Sequence, residues 1–160
     1  MTRSLGERRS GESIQLAAVA SLLGAPSTFR NVPRSPLEAH ELLLSGLPSK
    51  ALSHLIENFV LLRWDDSFAK AIGMSHRTYQ RHTSSNVKQL NPEQSGRTWK
   101  LAEVIAKAAS IFGSQEDAER WLEQPAIGLD QHKPIDLLAT PTGVELVEDF
   151  LIRLEHGVYT

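Results

Sequence analysis

Arg77, Thr78, Gln80 and Arg81 lie within five residues and carry the side chains that grip a DNA duplex. An arginine set bidentate on guanine supplies about 1–3 kcal/mol of discrimination, and the same guanidinium serves equally as a phosphate clamp. Ser75 just upstream is a preferred N-cap, so the spacing predicts a helix that begins at His76. In that helix the four side chains point mostly outward and Tyr79 turns back to the core. The candidate DNA-binding residues are therefore Ser75, His76, Arg77, Thr78, Gln80 and Arg81.

A helix that enters a groove needs a second element to hold it. Phe68, Ala69 and Ile72 give an apolar face to a short helix just before it, and Gly73 sits where the chain must turn sharply. Two short helices joined this way make a helix-turn-helix, whose second helix lies in the major groove. One later position that is usually apolar is His82, which shortens the recognition helix or exposes its end. The plainer alternative is a surface helical hairpin with a basic face.

Other chemistry is not legible. The six histidines, at 40, 54, 76, 82, 132 and 156, are scattered. His54 and Glu57 are three apart on a helix, but with no second ligand pair they read as a surface pair and not a metal site. There is no glycine-rich phosphate loop, no cysteine, and no spacing that sets a nucleophile beside a base. The expectation is a chain with no catalytic residues, no metal and no cofactor.

The 160 residues are 41 % hydrophobic and 22 % charged, the balance of a globular protein with one domain or two small ones. No apolar run reaches the 18 or so residues of a membrane span, and the apolar stretch Ile14 to Leu23 has no convincing cleavage site after it. Together with the lack of cysteine this points to the cytoplasm. The net charge of −2 hides a segregation. Residues 1–34 and residues 63–88 each carry five basic and two acidic side chains, whereas residues 112–160 carry three basic and ten acidic. A basic middle suits phosphate contact. An acidic final third suits a basic partner, or is simply a set of well-solvated helices.

Residues 1–34 are expected to be a mobile arm with one short helix over Ile14 to Leu23. Residues 35–90 form the helix-turn-helix and dimerisation region. It opens with a helix from Ser35-Pro36 to Leu44, and a second runs from Ser49 to about Leu61 with Leu52, Leu55, Ile56, Phe59 and Val60 on its dry face. Residues 91–160 form a second helical region. There Pro92 follows a capping Asn91, a long helix runs to Phe112 and stops at Gly113, and Ser114 caps a helix holding Trp121 and Leu122. Pro134 starts a short turn of helix, and Thr142 caps a last helix that ends at Gly157. No strand pattern is present. The fold class is all-α.

The second half carries a chain of motifs: Phe112-Gly113, Ala118-Glu119-Arg120-Trp121-Leu122-Glu123-Gln124-Pro125, Gly128-Leu129, Lys133-Pro134-Ile135-Asp136-Leu137-Leu138, Thr140-Pro141-Thr142-Gly143, Val147, and Leu151-Ile152-Arg153-Leu154-Glu155-His156-Gly157-Val158. Together these closely resemble the C-terminal toxin-binding domain of the MbcA/ParS/Xre antitoxin family. Gln94-Ser95-Gly96-Arg97 resembles that family's Ser-Asp-Arg, with Gly96 in place of the acid, and Gly73-Met74-Ser75-His76-Arg77-Thr78 is similar to its Xre-type helix-turn-helix. The resemblance spans roughly residues 37–160.

The resemblance implies a bacterial type II antitoxin. Its partner would be a RES-domain toxin, an enzyme that consumes NAD+, whose active site the antitoxin closes, and the complex would repress its own promoter. Arg153, Glu155, His156, Gly157, Val158, Tyr159 and Thr160 are the toxin-binding candidates, since a pocket for a diphosphate is basic and an acidic plug complements it. The alternative is a tail that stays in solvent. A palindromic operator needs two recognition helices about 34 Å apart, so a homodimer is expected, formed by the N-terminal half and enlarged when toxin joins. The second functional reading is a stand-alone helix-turn-helix regulator whose acidic part serves dimerisation or ligand response.

Overall fold

The computed structural model describes residues 5–85 and 88–157, leaving aside the side chains of residues 5, 7–10, 13 and 14. In chain order the helices are α1 (Leu5–Leu22), α2 (Pro36–Ser45), α3 (Ser49–Glu57), α4 (Asp66–Ile72), α5 (His76–Ser84), α6 (Pro92–Phe112), α7 (Gln115–Leu122), α8 (Pro134–Leu137) and α9 (Pro141–Glu155), with a 3-10 turn at Ile127–Leu129. Among the described residues there is no strand, only the isolated bridges Pro48–Gln89 and Ala126–His132. None of the described helices is long and apolar enough to cross a membrane.

The central element is α6. It opens on a full capping box: Asn91 Oδ1 accepts from Gln94 N at 2.8 Å, and Gln94 Oε1 accepts from Asn91 N at 3.1 Å. The periodicity suggests one dry side, but Ser95, Thr98, Trp99, Leu101, Ala102, Val104, Ile105 and Ala108 are all buried. A helix dry on several sides must be surrounded, and α1, α2, α4, α7 and α9 pack around it. Ser95 tolerates that position because its hydroxyl accepts from Leu47 N at 2.8 Å.

The N-terminal region departs from the expected mobile arm. Val19, Ala20 and Leu23 are in the core at no more than 1 % exposure, and α1 rests on α6. The apolar stretch expected to form a short helix is the part that docks, and the helix extends from it back to Leu5.

The end of α3 and both ends of α9 differ from the sequence reading. The second helix of the 35–90 region stops at Glu57 instead of near Leu61, because the N–H groups of Val60, Leu61 and Leu62 turn away to the carboxylate of Glu119. The last helix is capped by Thr140 and not by Thr142. Thr140 Oγ1 accepts from Gly143 N at 3.0 Å, and Pro141 takes the first helical position. It ends at Glu155, two residues before Gly157.

Candidate nucleic-acid and partner-protein interfaces

The helix pair α4–α5 is built as the residues require. Asp65 Oδ1 accepts from Phe68 N at 2.9 Å to start α4, and Gly73 ends it in the left-handed region at φ 71°. Ser75 then caps α5 by accepting from Thr78 N at 3.1 Å. His82 does not shorten this helix, which continues to Ser84; its half-buried ring has an Nδ1 with no hydrogen-bond partner in the structure.

The six DNA-binding candidates sort by what they touch. Arg77, Gln80 and Arg81 are exposed, and their i, i+3, i+4 spacing places them on one face. Ser75 also donates to Thr78 Oγ1 at 3.0 Å, so the hydroxyls of exposed Ser75 and half-buried Thr78 are bonded to each other at the start of α5. His76 is exposed, yet its ring leans on Trp64 with centroids 5.3 Å apart. Tyr79 turns inward as expected, stacking on Trp64 at 4.9 Å and donating to Ser53 Oγ at 3.3 Å. Three cation- or amide-bearing side chains thus face outward from a helix fixed by aromatic contacts on its inner side.

Trp64 is the anchor that sequence reasoning missed. It sits in an irregular segment, where no period marks it as core, and it gathers Phe68, His76 and Tyr79 around one ring. Glu119 was missed for another reason. It lies among the acidic residues of α7 and reads as solvated surface, but it is fully buried.

The acidic final third is less open than its composition suggests. Glu148 and Glu103 hold Lys100 at 2.8 and 3.0 Å. Glu155 pairs with Lys107, and Arg120 takes both Glu116 and Asp117. Burial pushes the Lys100 ammonium down, but its bonds to Glu148 and Glu103 outweigh that and leave it above 10.5. Glu123 is moved the other way for a carboxyl: burial, with Asp65 nearby, raises it above 4.5. Glu116, Asp117 and Glu155 stay exposed although paired, and Asp130, Asp136, Glu145 and Asp149 are exposed outside these ion pairs.

Glu145, Leu146, Asp149, Ile152, Arg153 and His156 recur at helical spacing and form the outer face of α9 and its cap. Leu146 and Ile152 are large apolar side chains about half open to solvent, at 51 % and 47 %. Of the toxin-binding candidates, Arg153, His156 and Gly157 are on the surface near one another in sequence, while Glu155 is tied back to α6. Val158, Tyr159 and Thr160 lie outside the described residues.

Comparison with known proteins follows the same division. Residues 38–103 match the antitoxin Xre-like helix-turn-helix domain, and residues 107–157 match the antitoxin Xre/MbcA/ParS C-terminal toxin-binding domain. The chain belongs to the Xre/MbcA/ParS antitoxin family. Relatives of this antitoxin-family chain include Antitoxin Xre of Yersinia enterocolitica, 34 % identical over 92 residues that cover 57 % of this chain and 62 % of the relative. Antitoxin Xre of Pseudomonas putida is 31 % identical over 68 residues, covering 42 % and 43 % respectively. Antitoxin Xre of Photorhabdus laumondii is 28 % identical over 118 residues, covering 73 % and 78 %. The chain thus spans less than two thirds of the length of the first two. Both matched regions have an end inside α6, which gives residues 92–103 to one and 107–112 to the other. The family's acid is absent at Gly96, where a Cβ would meet nothing within 4 Å, whereas Arg97 reaches the carbonyls of Lys70 and Ala139.

Proposed function

We propose that this chain is the antitoxin of a type II toxin–antitoxin pair. In this reading α5 binds the operator of its own operon and represses it. The C-terminal half binds a RES-domain toxin that degrades NAD+ and occludes its active site. One observation carries the proposal: a region matching a toxin-binding domain shares a chain with the exposed face of Arg77, Gln80 and Arg81.

Arg77, Gln80 and Arg81 make the duplex contacts, with Ser75, His76 and Thr78 setting the start of the helix. The outer face of α9 meets the toxin, led by Arg153, His156 and Gly157, and Val158, Tyr159 and Thr160 are further toxin-binding candidates. The exposed acids Glu145 and Asp149 suit a cleft that is basic because it holds a diphosphate. A palindromic operator calls for a homodimer, and α2 leaves Leu37 and Leu44 exposed at 66 % and 59 % in the half where that contact is expected.

The test is co-expression with the adjacent reading frame. That product alone should stop growth and drain NAD+, and the pair should grow normally. A neighbour harmless by itself overturns the proposal. If no protein co-purifies while operator binding persists, the chain is a stand-alone regulator.

A further inference from the structure

We infer that Glu119, in the partner-binding half, is a positioning residue for the DNA-reading helix α5. The inference rests on reading α5 as the helix that contacts DNA. Glu119 Oε1 accepts from three successive backbone N–H groups, those of Val60 at 3.0 Å, Leu61 at 2.9 Å and Leu62 at 2.9 Å. Oε2 accepts from Val60 N and from Gln115 Nε2, each at 3.0 Å. The side chain has no exposure, and N–H donors alone satisfy it. Burying a carboxylate is costly unless donors converge on it, and convergent charge-assisted bonds are the strong ones.

The captured segment has no regular structure of its own, so these bonds set its path. Two residues beyond Leu62 it delivers Trp64, whose ring stacks on Tyr79 at 24° and touches His76. No residue of α5 is fully buried; it packs on α3 and on this aromatic cluster, with Tyr79 and the half-buried His82 on its inner side. Trp64 therefore helps to set where α5 lies, and the path that brings Trp64 there is held by Glu119. The order of dependence runs from the α7 carboxylate through residues 60–62 and the indole to Arg77, Gln80 and Arg81.

Full-length Glu119→Gln tests this: it removes the charge from the bonds to residues 60–62, and its NH2 group in place of Oε2 faces two donors, Val60 N and Gln115 Nε2. Amide hydrogen exchange in the free protein should quicken about tenfold or more over residues 60–62 and over 76–84, with α6 and α9 unchanged. Operator affinity should fall by a similar factor while toxin affinity stays within about twofold. Faster exchange at 60–62 with 76–84 and operator binding as in the unaltered protein overturns the inference. Should Glu119→Gln fail to fold, Trp64→Ala replaces it. That variant must loosen 76–84 without loosening 60–62, and an unmoved α5 refutes the inference. If the unaltered protein binds no operator, the reading of α5 as a DNA helix fails, and the exchange pattern still decides whether Glu119 places it.

Discussion

Arg97 lies across Gly73. A Cβ on that glycine would come within 2.8 Å of Arg97 Cδ, so the turn between α4 and α5 is roofed by a side chain from the central helix. The same guanidinium donates from Nη1 to Lys70 O at 3.1 Å and to Ala139 O at 3.3 Å. One residue thus closes the helix-turn-helix and ties it to the corner between α8 and α9.

Gly73→Ala therefore strains a left-handed backbone at φ 71°, and its methyl group also pushes the Arg97 side chain off its place across the turn. The backbone alone costs about 1–2 kcal/mol, which lowers Tm by roughly 2–8 °C in a protein of this size. Thermal unfolding checks it. In an Arg97→Ala background the loss should be smaller, because no side chain is displaced and only the backbone cost remains.

Gly143→Ala should be far more damaging. Its Cβ would lie 1.9 Å from Leu137 O, so α9 cannot keep its place on α8. We expect a loss in the range of about 4 kcal/mol or more that marks such backbone collisions. Urea unfolding measures it, and toxin capture by the folded fraction should weaken in parallel.

Glu123 predicts a pH dependence. Its folded carboxyl sits above 4.5 through burial and Asp65, so the ionised form is the disfavoured one in the folded state. Its favourable contribution is complete in acid and disappears as pH rises through the folded value. Glu123→Gln should therefore raise Tm at pH 7, and the gain should vanish below about pH 4.5. Paired melts at the two pH values give the answer.

Arg77→Ala and Arg81→Ala separate base reading from phosphate reading. Loss of a bidentate guanine contact costs about 1–3 kcal/mol and relaxes one operator position; loss of a phosphate contact weakens all sequences and lowers the salt slope by about 1. Operator titrations across a salt series, with single-base variants, assign each arginine. The double variant should abolish binding at moderate salt.

What could be read from the residues was local. The caps at Ser75, Asn91 and Ser114 and the stops at Gly73 and Gly113 are short-range chemistry, and each is where its residue type predicts. What could not be read was long-range. The end of α3 is decided by a carboxylate 57 to 59 residues away, and no local pattern carries that information. Trp64 has no period around it, so its place under α5 was invisible. The acidic third looked like one open surface because side chains such as Glu148 and Glu155 find their lysines on α6, 48 residues distant. On α5, the spacing indicated the face of Arg77, Gln80 and Arg81, but not the bond that links the Ser75 and Thr78 hydroxyls.

Because α6 serves both matched regions, the chain has no hinge at the place where a linker ordinarily joins two modules. Its 21 residues run unbroken from one to the other. On the proposed function, the surface offered to a duplex and the surface offered to a second protein are then coupled through one continuous helix, so a change in its bend would reach both.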